Sequence, residues 1–312
     1  MFDIEAKRSS DEDLSHSNSR KVEGQKLLRQ KGEIMEIARS PVVTVAPSTP
    51  IIDVIRIMMK EGFRRLPVIN PKTRELEGIV AARDVVDYLG GGRKYEIVER
   101  KYDGNFFPAV YAPVEMIMSR EAVSIGTNGR IRQTINLMIR RGVGGIPVID
   151  RKRRVWAIVT ERDLMRLFSK ELTGRKIEEI MSKNVATVSP YTTLKIVSRK
   201  MIREGFRRLP IVEDKKLIGI VTVRDIVRFF GSGEVYNHLK SGAIGPVLDT
   251  LVYRIGTRGL VTVASDLDVA EAARLMARRG VGALPVLDEE KRLVGIITER
   301  DLLKMIRKMK LM

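Results

Sequence analysis

The chain of 312 residues contains no cysteine, two histidines and one tryptophan, and its aromatic content is 5%. The missing cysteine excludes disulfides, thiolate catalysis and cysteine-ligated metals, and makes the cytosol the expected location. The two histidines, His16 and His238, stand far apart, and no His/Asp/Glu group has metal-ligand spacing. Asparagine and glutamine together number only ten, beside 57 Lys and Arg, a lean towards thermophilic composition. Apolar runs all fall well short of the roughly 18 residues of a membrane span. The start lacks the charged and apolar pattern of a signal peptide. No nucleophile–base pair is visible, so no catalysis is expected.

What the chain has in excess is positive charge, +18 with a pI near 10.2. Residues 1–33 carry seven basic and seven acidic side chains and net zero, so the whole excess lies in 34–312. A basic body attracts polyanions, whether nucleotides, nucleic acids or an acidic protein face. The tail itself is polar and Ser-rich, and is expected to be disordered to about residue 20.

The stretch "EGFRRLP" at 61–67 recurs letter for letter at 204–210. Around it lies a longer repeat. Four segments end in "FRRLPVIN", "GVGGIPVID", "FRRLPIVED" and "GVGALPVLD", and each is followed by "GIVAARDVV", "AIVTERDLM", "GIVTVRDIV" or "GIITERDLL". Self-similarity of this kind marks a repeat architecture. The first copy resembles the third. The second resembles the fourth, at a constant offset of 138. Long linkers follow copies one and three, and are expected to hold short helices that tie the pairs together.

Copy three reads as strand, helix, strand, strand, helix. "VATV" is a β-branched strand, and Leu194, Val197, Met201 and Ile202 have helical spacing. Gly205 ends that helix, "LPIVE" and "LIGIVTV" are strands around a tight "DKK" turn, and "RDIVRFF" opens a second helix that Gly231 ends. In copy one Thr49 is the expected N-cap with Pro50 at the first helical position. Each unit of about 55 residues is small for a stable core alone, so pairing is expected. The fold class is therefore α/β (α+β).

The recurring unit resembles the cystathionine-β-synthase (CBS) motif, and the paired arrangement resembles two Bateman modules in one chain. The alternation and linkers are most similar to archaeal four-motif CBS proteins, which resemble the regulatory gamma subunit of AMP-activated protein kinase. The resemblance implies a pseudo-symmetric disc. Its first module would span 34–170 (motifs 34–90 and 114–169) and its second 171–312 (motifs 177–231 and 251–310). It implies a non-catalytic regulatory sensor that binds AMP, ADP or ATP in clefts between paired motifs and signals to a partner, as a monomeric disc or disc dimer. The alternatives are a nucleic-acid-binding protein and a sensor of another adenosyl ligand such as S-adenosylmethionine.

Thr160 with Asp163, Thr222 with Asp225, and Thr298 with Asp301 have the spacing of a helix capping box. By resemblance the same Asp accepts both ribose hydroxyls of a nucleotide, with the Thr beside the ribose or phosphate. The two roles are compatible, because a helix N-terminus also favours an anion. Copy one has Asp84 but Ala81 in place of the Thr, so one cap and one hydroxyl are expected to be missing there. By resemblance Arg64, Arg65, Arg207 and Arg208 are phosphate ligands, a task that suits the planar two-pronged guanidinium. The even copies carry Gly144, Gly145, Gly282 and Ala283 instead, and are expected to supply space for a base or a backbone contact. Arg140, Arg141, Arg278 and Arg279 read first as exposed helix ends and second as ligands. Ser119, Ser182 and Thr257 are further candidates for ribose or phosphate contact by resemblance. "GGGRK" at 90–94 reads as a helix stop and hinge rather than a phosphate loop, and Trp156 reads as core.

Overall fold

The structure, a computed structural model, describes residues 33–167 and 174–309. The tail to residue 32 and most of the short link between copies two and three lie outside the described residues.

Each unit folds around a helix whose apolar residues share one face. In unit one this helix is Ile51–Glu61, and Ile51, Ile52, Val54, Ile55 and Met58 are buried at the spacing of one helical stripe. It stops at Gly62 with φ 67°, and the equivalent helices stop at Gly142, Gly205 and Gly280 in the same left-handed state. Glycine, with no β-carbon, reaches this state at the least cost. Thr49 is not the N-cap. Pro50 takes the cap position without a side-chain bond, and the Thr49 hydroxyl accepts from Ala46 N at 3.1 Å instead.

Two antiparallel strands follow. Arg65–Ile69 pairs with Leu76–Ala81, Gly145–Ile149 with Val155–Thr160, Arg208–Glu213 with Lys216–Thr222, and Ala283–Leu287 with Leu293–Thr298. The turn in unit three puts Asp214 and Lys215 at φ 46° and 65°, the two-residue hairpin form. In units two and four a two-residue strand runs parallel to the hairpin, Ile125–Gly126 and Val263–Ala264. In units one and three it shrinks to the single bridges Val45–Val68 and Val188–Ile211. "VATV" is thus nearly all loop. Trp156 faces outward, half-buried, and donates to Asp150 at 3.0 Å rather than filling the core.

The four units close a ring. Units one and two meet strand to strand: Leu76 N donates to Arg153 O at 3.0 Å and Val155 N to Arg74 O at 3.3 Å. Units three and four meet through the bridge Lys216–Arg292. Helices close the other two sides. The helix Val223–Gly231 of unit three packs on Ile51–Glu61 and Ala82–Leu89 of unit one, and Glu299–Lys308 of unit four packs on Ile131–Arg141 and Glu161–Leu167 of unit two. One apolar core accordingly runs through units one and three and a second through units two and four. Most of the hydrophobic burial that stabilises the pairing therefore lies on the helix-to-helix sides.

The linkers hold the helices Tyr95–Tyr102, Phe106–Val110, Gly245–Leu248 and Val252–Ile255. They also join each other. Phe106 N donates to Gly242 O at 2.8 Å, Ile244 N to Gly104 O at 2.9 Å, and the rings of Phe107 and Tyr236 stack at 6.1 Å. His238 belongs to this junction, with its ring against Phe229 at 5.6 Å. Among the described residues no helix is long and apolar enough to cross a membrane.

Candidate functional site

At the centre of the ring, side chains reach across it on both diagonals. Arg64 of unit one donates to Glu299 of unit four at 2.8 Å, and Arg207 of unit three donates to Glu161 of unit two at 2.7 Å. A second arginine completes each carboxylate: Arg162 to Glu299 at 3.0 Å and Arg300 to Glu161 at 2.8 Å. The pattern repeats about a pseudo-twofold axis.

Both glutamates are buried, their side chains only 2–3% exposed. Burial pushes the carboxyls up, but the facing arginines outweigh it and hold both below the ordinary range. Arg65 and Arg208 stand in the same centre with no carboxylate partner among the described residues. Arg208 donates to Gly282 O at 2.9 Å. Both guanidiniums are pushed down to about 10, first by burial and then by neighbouring arginines, Arg207 for Arg65 and Arg64 for Arg208. The arginine surplus is therefore held at a cost.

The centre opens into a cavity of about 1050 Å³. Its lining includes the four expected arginines Arg64, Arg65, Arg207 and Arg208, together with Asp84, Ser119, Thr222, Asp225 and Thr257. Arg141 and Arg279, expected as exposed helix ends, also reach this lining. Asp163, Thr160, Ser182, Thr298 and Asp301 are not part of it.

The glycines of the even units do make space, but for arginine. A β-carbon on Gly144 would lie 2.6 Å from Glu161 and 2.8 Å from Arg207, and one on Gly282 would lie 2.8 Å from both Arg64 and Glu299. The expectation of room for a base is corrected at these positions, which admit the side chains from across the ring.

The capping boxes form as the spacing predicts. Asp225 Oδ2 accepts from Thr222 N at 2.8 Å and from its hydroxyl at 2.6 Å, and Asp301 and Asp163 repeat this with Thr298 and Thr160. Where Ala81 replaces the Thr, half of the box survives, because Asp84 Oδ2 still accepts from Ala81 N at 2.8 Å. Only the hydroxyl is lost. In each box the second carboxylate oxygen, Oδ1, takes no part in the cap.

Each cleft is completed by the lead-in segment of the neighbouring unit. Ser119 bridges to Ile79, Thr257 to Ile220 and Ser182 to Ile296. Thr257 Oγ1 lies 3.3 Å from Asp225 Oδ1. The fourth equivalent position, bridged to Ile158, is Arg39, and its Nε pairs with Asp163 Oδ1 at 2.8 Å. The "GGGRK" run is a helix stop as read: Gly90 N bonds Val86 O, and the N–H groups of Arg93 and Lys94 turn inward to Asp87. Lys94 then reaches Asp84 Oδ1 at 2.7 Å.

Four β-α-β-β-α units in a ring with an arginine-rich centre define a paired-repeat class of protein. A family model described as the CBS domain matches residues 34–91, 114–170, 177–232 and 252–308, and the chain belongs to that family. Protein MJ1225 of Methanocaldococcus jannaschii is 35% identical over 273 residues, which cover 87% of this chain and 98% of that one. Its crystal structure, described as that of a candidate archaeal homolog of g-AMPK, superposes with a TM-score of 0.84 over 88% of this chain and 99% of that one. A 33.4 kDa protein in the ribosomal RNA operon of Thermofilum pendens is 34% identical over 88% of this chain and 92% of its own. A conserved protein of Pyrococcus horikoshii shares the fold, with a TM-score of 0.56 at 22% identity over 86% of this chain and 97% of its own.

Proposed function

We propose that this CBS-domain protein is a non-catalytic sensor of adenine nucleotides, AMP, ADP or ATP. One observation carries the reading. A single cavity joins Arg65 and Arg208, which have no carboxylate partner among the described residues, to a carboxylate placed at a helix start and free of any cation within 3.5 Å, Asp225. A nucleotide presents the complementary pair of groups. Its phosphates meet guanidinium forks that lack an anion, and its vicinal hydroxyls meet a carboxylate that accepts two hydrogen bonds and donates none. The likeness to a candidate homolog of g-AMPK favours adenine among the bases.

The acids at the centre do not suit proton transfer. Glu161 and Glu299 are engaged by two arginines each and held below the ordinary range, so they stay ionised near neutral pH. What a ligand can do is bias shape. The cavity takes residues from all four units, so phosphates bound there draw the two helix-packed halves together. That shifts an equilibrium only so far as the ligand prefers one arrangement. A partner protein would read the difference.

The rival is nucleic-acid binding, favoured by the net charge of +18. Isothermal titration with AMP, ADP, ATP and S-adenosylmethionine at low and high salt separates the two, with GTP and tripolyphosphate as controls. Saturable binding that prefers adenine and survives salt supports the sensor. Binding that ignores the base and collapses with salt overturns it in favour of a general polyanion surface.

A further inference from the structure

This inference rests on the nucleotide reading above and concerns which of the four clefts take a nucleoside. We propose that Lys94 and Arg39 are internal cations that close the two clefts of the first module, leaving the Asp225 and Asp301 clefts as the open nucleoside sites. In every unit the capping box consumes Oδ2 of the aspartate, so nucleoside binding turns on Oδ1.

In unit one, Asp84 Oδ1 is held by Lys94 Nζ at 2.7 Å, and the same ammonium also donates to Ile117 O. In unit two, Asp163 Oδ1 is held by Arg39 Nε at 2.8 Å. The second module differs. Asp225 Oδ1 has Thr257 Oγ1 at 3.3 Å and Arg228 only at 3.8 Å, while Asp301 Oδ1 has Lys304 only at 4.0 Å. All four carboxylates are sheltered, between 5% and 18% exposed, whereas Lys94 is 28% and Arg39 49% exposed, so Lys94 is the more enclosed of the two cations.

The substitutions that create this asymmetry can be read from the repeat itself. Arg39 occupies the bridge position that holds Ser119, Ser182 and Thr257 in the other three lead-ins. Lys94 lies ten residues after Asp84, and ten residues after Asp225 stands Val235, fully buried in the second linker. Each closed cleft therefore has a cation where its sibling has a hydroxyl or an aliphatic group. A ribose entering either must displace a charge-assisted bond, a loss of about tenfold or more in affinity.

The test is titration of the full chain with AMP at physiological salt, comparing wild type with Arg39→Thr, Lys94→Val and the double variant. Val is the residue at the sibling position of Lys94, Thr is the residue of the Asp225 cleft at the position of Arg39, and circular dichroism checks that each variant folds. We expect two sites in wild type and four in the double variant. Asp225→Asn and Asp301→Asn should each remove one wild-type site, whereas Asp84→Asn and Asp163→Asn should remove none. Four sites in wild type would overturn the inference while leaving the sensor standing. So would weaker binding by Arg39→Thr or Lys94→Val, because the cation would then be a ligand and not a plug. An absence of saturable AMP binding in every variant would sink the nucleotide reading and this inference with it.

Discussion

Gly145 of unit two and Arg65 of unit one share one space: a β-carbon on Gly145 would lie 3.0 Å from the guanidinium carbon of Arg65 and closer still to one of its nitrogens. The arginine side chain takes the room that the glycine leaves. This ties two sequence features that alternate along the chain, paired arginine in the odd units and glycine in the even ones, into one arrangement.

Gly145→Ala should therefore act on Arg65. Gly145 is not at positive φ, so the backbone tolerates alanine, and the methyl group must push the guanidinium aside. Polyphosphate or ATP affinity should fall about tenfold, the scale of one charge-assisted hydrogen bond, with only a small loss of stability. Titration and thermal melting of the same sample check it. Unchanged affinity would mean that Arg65 contributes nothing from this position.

Arg65→Met should raise the stability of the ligand-free protein. The cation is held at a cost by burial and by Arg207, and a methionine fills a similar volume without the charge. The gain should be about 1 kcal/mol, the usual yield of relieving a functional strain. The same variant should lose most of the melting-temperature rise that ATP gives the wild type. Arg208→Met should behave alike. Destabilisation of the ligand-free protein by both would show that the surplus charge is not strained.

Removing a central carboxylate should have the opposite sign. Glu161→Gln leaves Arg207 and Arg300 facing each other without an anion, and breaking a buried pair in this way costs about 3–5 kcal/mol. The wild type should show a related pH dependence. The folded carboxyls of Glu161 and Glu299 lie below the ordinary value of 4.5. Their contribution is thus fully present above that value and is lost as pH falls through the folded one. Denaturant melts between neutral and acidic pH should show the loss, and it should shrink in Glu161→Gln. An acid limb identical in both would remove the glutamates from the account.

Much of this was legible in the residues. Four Thr-x-x-Asp or Ala-x-x-Asp phrases gave the helix starts, because a capping box is a local bond set by spacing alone. The glycine stops were legible for the same reason. Glu161 and Glu299 were not singled out, although the alternation was present: the even units read "TERD" where the odd ones have Ala82 and Val223. Their partners lie 46 and 139, and 235 and 137, residues away. Only closure of the ring brings them together. Arg39 and Lys94 escaped because each acts on a carboxylate outside its own local motif, across a unit or at the far side of a loop. Thr49 misled because a Thr-Pro pair fits a helix start, yet here its hydroxyl bonds backwards to Ala46.

The last prediction concerns a void that the repeat itself exposes. In units one and four, a methionine from the neighbouring lead-in lies over a strand glycine: Met118 Sδ would be 2.9 Å from a β-carbon on Gly78, and Met181 Cγ 3.1 Å from one on Gly295. Both methionines directly precede the bridge residues Ser119 and Ser182. In unit three the residue before Thr257 is Gly256, and it stands by Gly219 with no side chain to cover it. A cavity of about 520 Å³ results, walled by Pro190, Tyr191, Ile211, Leu251 and Tyr253. Gly256 has φ −66° and ψ 151°, a conformation open to any residue. Gly256→Met should fill the cavity once the end of the Ile211 side chain turns aside. Two terms favour it: apolar surface withdrawn from water and a less flexible unfolded chain. Together they should contribute about 1–2 kcal/mol, or a rise of roughly 1.5–3 °C in melting temperature for a chain of this size. A lower melting temperature would show that Ile211 cannot yield and that unit three is packed for glycine.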